Sequence, residues 1–95
     1  MLTRGRRFTG KRVVLYVVPE GPSARAGFAC PRTVGGAVLR NRARRLMKEA
    51  WRSVVSQVGR GCEVVVVARP EIRDAKLHDV AADLEDLLTA AGVFA

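Results

Sequence analysis

Arg40, Asn41, Arg42, Arg44, Arg45, Lys48 and Arg52 fall within thirteen consecutive residues, and together they offer one kind of chemistry, multidentate donation to oxyanions. Arginine's planar fork matches phosphate oxygens and stacks on nucleobases, while Asn41 both donates and accepts, as a base edge or a ribose 2′-hydroxyl requires. The plainer reading is a solvated helical face. Such faces usually carry both signs, however, and Glu49 is the one acid among these cations. Arg40, Arg44, Lys48 and Arg52 also follow one another at i, i+4, where like charges cost an isolated helix a few tenths of a kcal/mol per pair, so helix stability does not explain the pattern. Gly35-Gly36 stands just before these residues. Two glycines there let a phosphate approach the free N–H groups of a helix start, or serve simply as a strand-to-helix turn.

Other reactive side chains form no such group. Cys30 and Cys62 lack metal-ligand spacing, and the single histidine, His78, has no neighbouring ligand type, so neither a zinc site nor a disulfide framework is signalled. Both cysteines read as reduced core residues. His78 reads as a surface residue. Asp74, Asp79, Asp83 and Asp86 raise the question of a metal nuclease, but 79, 83 and 86 are helically spaced on the outer side of an amphipathic stretch, the pattern of a solvated face. No residue is assigned as catalytic or as a metal ligand.

Charge limits the partners. Residues 1–60 hold 14 Lys and Arg against Glu20 and Glu49, residues 61–95 hold 3 against 7 acids, and the formal balance is +8. Basicity localised in this way attracts a polyanion by counterion release, which makes nucleic acid the leading partner. A membrane surface asks for a basic helix with exposed large apolar residues or for a lipid anchor, and neither is evident. No apolar run reaches about 18 residues, and the arginine-studded Met1 to Lys11 segment lacks the apolar stretch of a signal peptide, so a cytoplasmic protein is expected. At 95 residues and 48% hydrophobic, one domain spanning 1–95 is expected.

The elements that must position the cations follow from periodicity. Val13 to Val18 is a β-branched and aromatic run ending at Pro19-Glu20-Gly21-Pro22-Ser23, and Arg25 to Cys30 reads as the strand returning from that turn in a hairpin, limited by Pro31. Arg7-Phe8-Thr9 is a candidate edge strand. From Ala37 to about Ser56, Leu39, Ala43, Leu46, Ala50 and Val54 mark one helical stripe, which at about 100° per residue occupies roughly 340° to 80° with Leu39 at zero. The cations fill the remaining arc, and Met47 and Trp51 lie at its border, where core or partner packing is expected. Gly59-Arg60-Gly61 breaks this helix. Cys62 to Ala68 is a continuous apolar run suited to a central strand buried on both faces. Asp74 is positioned to cap a last helix whose stripe is Leu77, Val80, Ala81, Leu84, Leu87, Leu88 and Ala91, ended by Gly92. The result is an α/β chain, an α+β sandwich with a mixed sheet of three to four strands and two helices in the order (β)-β-β-α-β-α.

Arg40-Asn41-Arg42-Ala43-Arg44-Arg45-Leu46-Met47-Lys48-Glu49 resembles the RNR signature of bacterial ribonuclease P proteins. Val14-Leu15-Tyr16, Gly27-Phe28, Val34-Gly35 and Ala37-Val38 before it, and Val64 to Pro70 and Leu84 to Leu88 after it, are similar to that family in matching order. The resemblance implies a left-handed β-α-β crossover through the basic helix. It implies that Arg40, Asn41, Arg42, Arg44, Arg45 and Lys48 contact RNA, and the cationic row adds Arg52 as an RNA-binding candidate. It makes Tyr16 and Arg32 candidates for a cleft holding the single-stranded 5′ leader of precursor tRNA. An aromatic ring suits such a cleft because bases stack on it, worth about 1 to 3 kcal/mol each, though Tyr16 is equally readable as sheet packing. The implied partners are ribonuclease P RNA and precursor tRNA, and the implied cofactor is Mg²⁺ held mainly by the RNA, whose catalytic centre cuts the leader.

Three features depart from the family. Its usual first helix has no counterpart in Met1 to Arg4, Ala29-Cys30-Pro31-Arg32-Thr33 replaces a commonly serine- and lysine-rich stretch, and Gly36 is often asparagine. A noncatalytic RNA-binding or ribosome-associated module would use the same basic helix. A helix-turn-helix DNA binder fits less well, because strands rather than a turn and a partner helix flank that helix.

Overall fold

A computed structural model describes residues 6–18, 25–58 and 63–93. The turn at Pro19 to Ser23, the break at Gly59-Arg60-Gly61, Cys62 and the segment Met1 to Arg4 lie outside the described residues. Four strands, β1 (Arg6–Thr9), β2 (Val13–Val18), β3 (Arg25–Ala29) and β4 (Glu63–Ala68), join two helices, α1 (Ala37–Val54) and α2 (Leu77–Ala91). The candidate edge strand is present as β1. The α+β class and the two helices agree with the sequence reading.

Strand order is β1-β2-β4-β3, with β1 and β4 antiparallel to β2 and β3 parallel to β4. The predicted hairpin between β2 and β3 is therefore corrected: β4 lies between them, and the local hairpin is β1–β2. Neighbouring strands are about 4.8 Å apart, so stepping over one takes only about 10 Å. The six residues 19–24 cover that easily. The two most apolar strands, β2 and β4, take the centre, and α1 is the crossover between parallel β3 and β4.

Both helices lie on one face of this sheet. Val13, Leu15 and Val17 of β2 and Val64, Val66 and Ala68 of β4 join Ala43, Met47, Ala50, Trp51 and Val54 of α1 and Val80, Leu84, Leu87, Leu88 and Ala91 of α2 in one buried cluster. The opposite face carries Arg7, Tyr16, Val65 and Gly27 across one register row and Thr9, Val14, Val67 and Ala29 across another. No described helix covers it. The expectation that β4 is buried on both faces is thus corrected: Val64, Val66 and Ala68 are buried, whereas Glu63, Val65 and Val67 are only half-buried because helices occupy one side.

The buried face of α1 also differs from the predicted stripe. Met47 is fully buried and Trp51 nearly so, while Leu39 is 38% exposed, which turns the buried arc by about 40° toward Trp51. Large side chains two turns in reach the sheet, whereas Leu39 sits in the first turn, over Gly35. Gly35 has φ 142°, and a Cβ there would lie 2.6 Å from Leu39 Cδ1, so only glycine admits this approach.

Asp74 does not cap α2. It ends a 3₁₀ turn at Pro70–Asp74, and α2 starts after Lys76, whose N–H donates to Asp79 Oδ2 at 2.9 Å. Leu77, expected in the α2 stripe, is 44% exposed because the first turn of α2 lies beside α1 rather than over the sheet. Gly92 closes the helix in the left-handed conformation, with Val93 N–H donating to Leu88 O.

Ties between layers fix the helices on the sheet. The Arg12 guanidinium reaches both Asp83 carboxylate oxygens at 3.2 Å, joining the β1–β2 turn to α2. Arg6 donates to Ala91 O at 2.8 Å, placing a cation at the negative end of α2. Arg69 donates to Gly10 O, and its N–H to Arg12 O.

Candidate nucleic-acid interface

Eighteen residues of uninterrupted helix carry the cations of α1, and burial of Ala43, Met47, Ala50, Trp51 and Val54 decides which way each one points. With the buried arc turned toward Trp51, Arg40 and Arg44 fall at its border and are half-buried. They stand beside Cys30, just past the end of β3. Burial raises the Cys30 thiol above its ordinary value, and the positive charges of Arg44 and Arg40 act in the opposite direction. Cys30 is a free thiol, half-buried rather than sealed in the core. Arg40 Nε is enclosed and has no hydrogen-bond partner among the described residues.

Arg42 lies on the other flank of α1. Its Nη1 donates to Arg73 O at 3.0 Å and its Nη2 to Ala75 O at 2.9 Å, so its guanidinium fastens α1 to the segment leading into α2. Arg52 donates to Glu49 Oε1 at 3.1 Å on the open surface. Asn41, Arg45 and Lys48 are exposed and engage no side chain among the described residues. The cations therefore form a continuous outward arc with half-buried Arg40 and Arg44 along one border, Arg42 fastened to backbone carbonyls along the other, and a middle open to solvent.

The helix start supplies further positive character. Gly36 is the N-cap without a side-chain bond, and the first turn of α1 contains no acid. Free N–H groups and the positive dipole end are thus not neutralised locally.

Tyr16 stands on the sheet face that no described helix covers, half-buried, opposite Arg7 on β1 and Val65 on β4. Gly27 completes that row on β3, beside a shallow depression that Val18, Arg25, Glu63 and Val65 also line. Arg32 is exposed in the 3₁₀ turn Arg32–Val34, past the end of β3, and shares no register row with Tyr16. Arg7 was not singled out from the sequence, and its signal is the strand alternation that places it across from Tyr16.

The predicted acids have fold roles where they have partners: Asp79 accepts from the Lys76 N–H, which holds its carboxyl below the ordinary value, and Asp83 pairs with Arg12. His78 is exposed, as expected. Among the described residues no group of His, Cys, Asp and Glu is placed to hold a metal ion, and no helix is long and apolar enough to cross a membrane.

The family model described as Ribonuclease P matches residues 1–92. The chain is similar to the ribonuclease P protein component of Shouchella clausii, 36% identical over 97% of this chain and 77% of that one. It is likewise similar to the corresponding component of Caldanaerobacter subterraneus subsp. tengcongensis, 34% identical over 90% and 75%. The solved RNase P protein of Staphylococcus aureus superposes with a TM-score of 0.81 at 26% identity, covering 96% of this chain and 84% of that one.

Proposed function

Because the chain belongs to the bacterial ribonuclease P protein family, we propose that it serves tRNA maturation as an RNA-binding subunit that contributes no catalytic group. In this reading ribonuclease P RNA holds the reactive centre. Mg²⁺ bound mainly by that RNA would supply the activated water for removing the 5′ leader of precursor tRNA. The protein neutralises phosphates, so that two polyanions approach each other at lower electrostatic cost.

The observation that carries the reading is the outward cationic arc of α1. Asn41, Arg45, Lys48 and Arg52 are exposed along one side of an uninterrupted eighteen-residue helix, a row of donors that suits a phosphate backbone. Arg40, Arg42 and Arg44 extend the positive potential at its borders. The sheet face bearing Tyr16 and Arg7 suits a single strand, because an aromatic ring takes a base and a neighbouring guanidinium takes a phosphate. Arg32, beyond the end of β3, is available to a strand that continues in that direction.

The test mixes the protein with a bacterial ribonuclease P RNA and leader-bearing precursor tRNA at limiting Mg²⁺. Stimulated 5′ cleavage over RNA alone is the expected result. RNA binding without any stimulation overturns the tRNA-processing role in favour of a noncatalytic module, and cleavage by the protein alone overturns the mechanism.

A further inference from the structure

We propose that the notch between α1 and the first turn of α2 receives one unstacked base of the RNA partner, an inference that rests on the RNA-binding reading above. Arg42, Arg45, Leu46, Glu49 and Leu77 line this notch. Its floor is apolar, formed by half-buried Leu46 and by Leu77, which is 44% exposed. Val38, 81% exposed, lies one turn before Arg42 on the same side of α1. Apolar surface left in water beside a cationic arc fits a ligand that is both anionic and flat-faced, and a nucleotide is such a ligand.

The polar rim supports a base rather than the backbone alone. Arg42 donates to two carbonyls, and guanidinium hydrogen bonds lie in the plane of the group, which leaves its faces for stacking. Arg45, exposed at the lip, is placed for the phosphate of the same nucleotide. Glu49 Oε1 takes the Arg52 bond, and Oε2 has no partner among the described residues, so it is free to accept from a base amino group. Adenine, cytosine and guanine offer that amino donor and uracil offers its N3–H instead, so the contact orients the base without selecting it.

The test measures binding of the full chain and two variants to a bacterial ribonuclease P RNA transcript across a salt series, with thermal melts confirming that each variant folds. Leu77→Ser is expected to weaken binding at least about fivefold at every salt concentration without changing the slope, because apolar contact with the base is lost but no phosphate contact is. Leu77→Met is expected to bind like the parent. Chemical probing of the RNA bases in the same complexes supplies an independent readout: one single-stranded base protected by the parent chain regains reactivity with Leu77→Ser. Equal affinity for the parent and Leu77→Ser, or no base whose protection depends on Leu77, overturns the notch while leaving the RNA-binding reading intact. Absence of RNA binding by the parent overturns that reading and the notch with it. A Leu77-dependent dimer in sedimentation without RNA assigns the notch to a second copy and overturns the proposal.

Discussion

Two arginines three residues apart on α1 divide by their partners. Arg42 is bound to Arg73 O and Ala75 O, whereas Arg45 is exposed with no partner among the described residues. Arg42→Ala leaves two carbonyls without a charged donor and is expected to destabilise the fold by roughly 1 to 3 kcal/mol in chemical denaturation. Arg45→Ala is expected to change stability by less than about 0.5 kcal/mol, yet to reduce the salt slope of RNA binding by about 1. Equal stability of the two variants would count against the division. The cations themselves are legible in the sequence because composition and i, i+4 spacing are local properties. Their commitments are not, since Arg42 finds its acceptors 31 and 33 residues away, and the half-burial of Arg40 depends on how Met47 and Trp51 rotate the helix.

Elements were readable in proportion to how local their causes are. α1, α2 and β4 follow from periodicity or a valine run, and Gly92 ends α2 as its type suggests. The position of β4 between β2 and β3 is a non-local pairing that no window of sequence contains, and chain adjacency alone points to a β2–β3 hairpin. The start of α2 misled for a subtler reason: Asp74 is a good cap by type, but Pro70 opens a 3₁₀ turn that consumes the first acids and moves the helix start to Leu77. Asp79 then takes the capping role. Its carboxyl is held below the ordinary value by the Lys76 N–H, so its contribution is complete above the unfolded-state value and fades as pH falls through the lower folded value. Asp79→Asn is accordingly expected to lower the melting temperature at neutral pH and to converge with the parent at strongly acidic pH. A constant difference across the titration would show that the charge is not involved.

At the scale of the molecule, charge is sorted by element. α1 and the first three strands carry most of the cations, while Asp79, Asp83, Glu85 and Asp86 lie on α2, so the particle is electrically polar as well as positive. That polarity orients approach to a polyanion before contact. Glu85→Gln with Asp86→Asn, both exposed, is expected to raise the RNA association rate about two- to fivefold at low salt, with dissociation unchanged, and the gain should vanish near 1 M salt, where the Debye length is about 3 Å. Stopped-flow mixing reads both rates. The central place of β4 carries a temporal consequence as well. During synthesis, β1, β2, β3 and α1 all leave the ribosome before β4, with β2 and β3 each lacking the neighbour that later pairs with both. Only the β1–β2 hairpin can close early. The rest of the sheet waits for a strand more than thirty residues downstream of β3, a long-range closure of the kind that slows folding. Through that interval the nascent chain is a basic polymer with open strand edges, and its cations become available to RNA before its core exists.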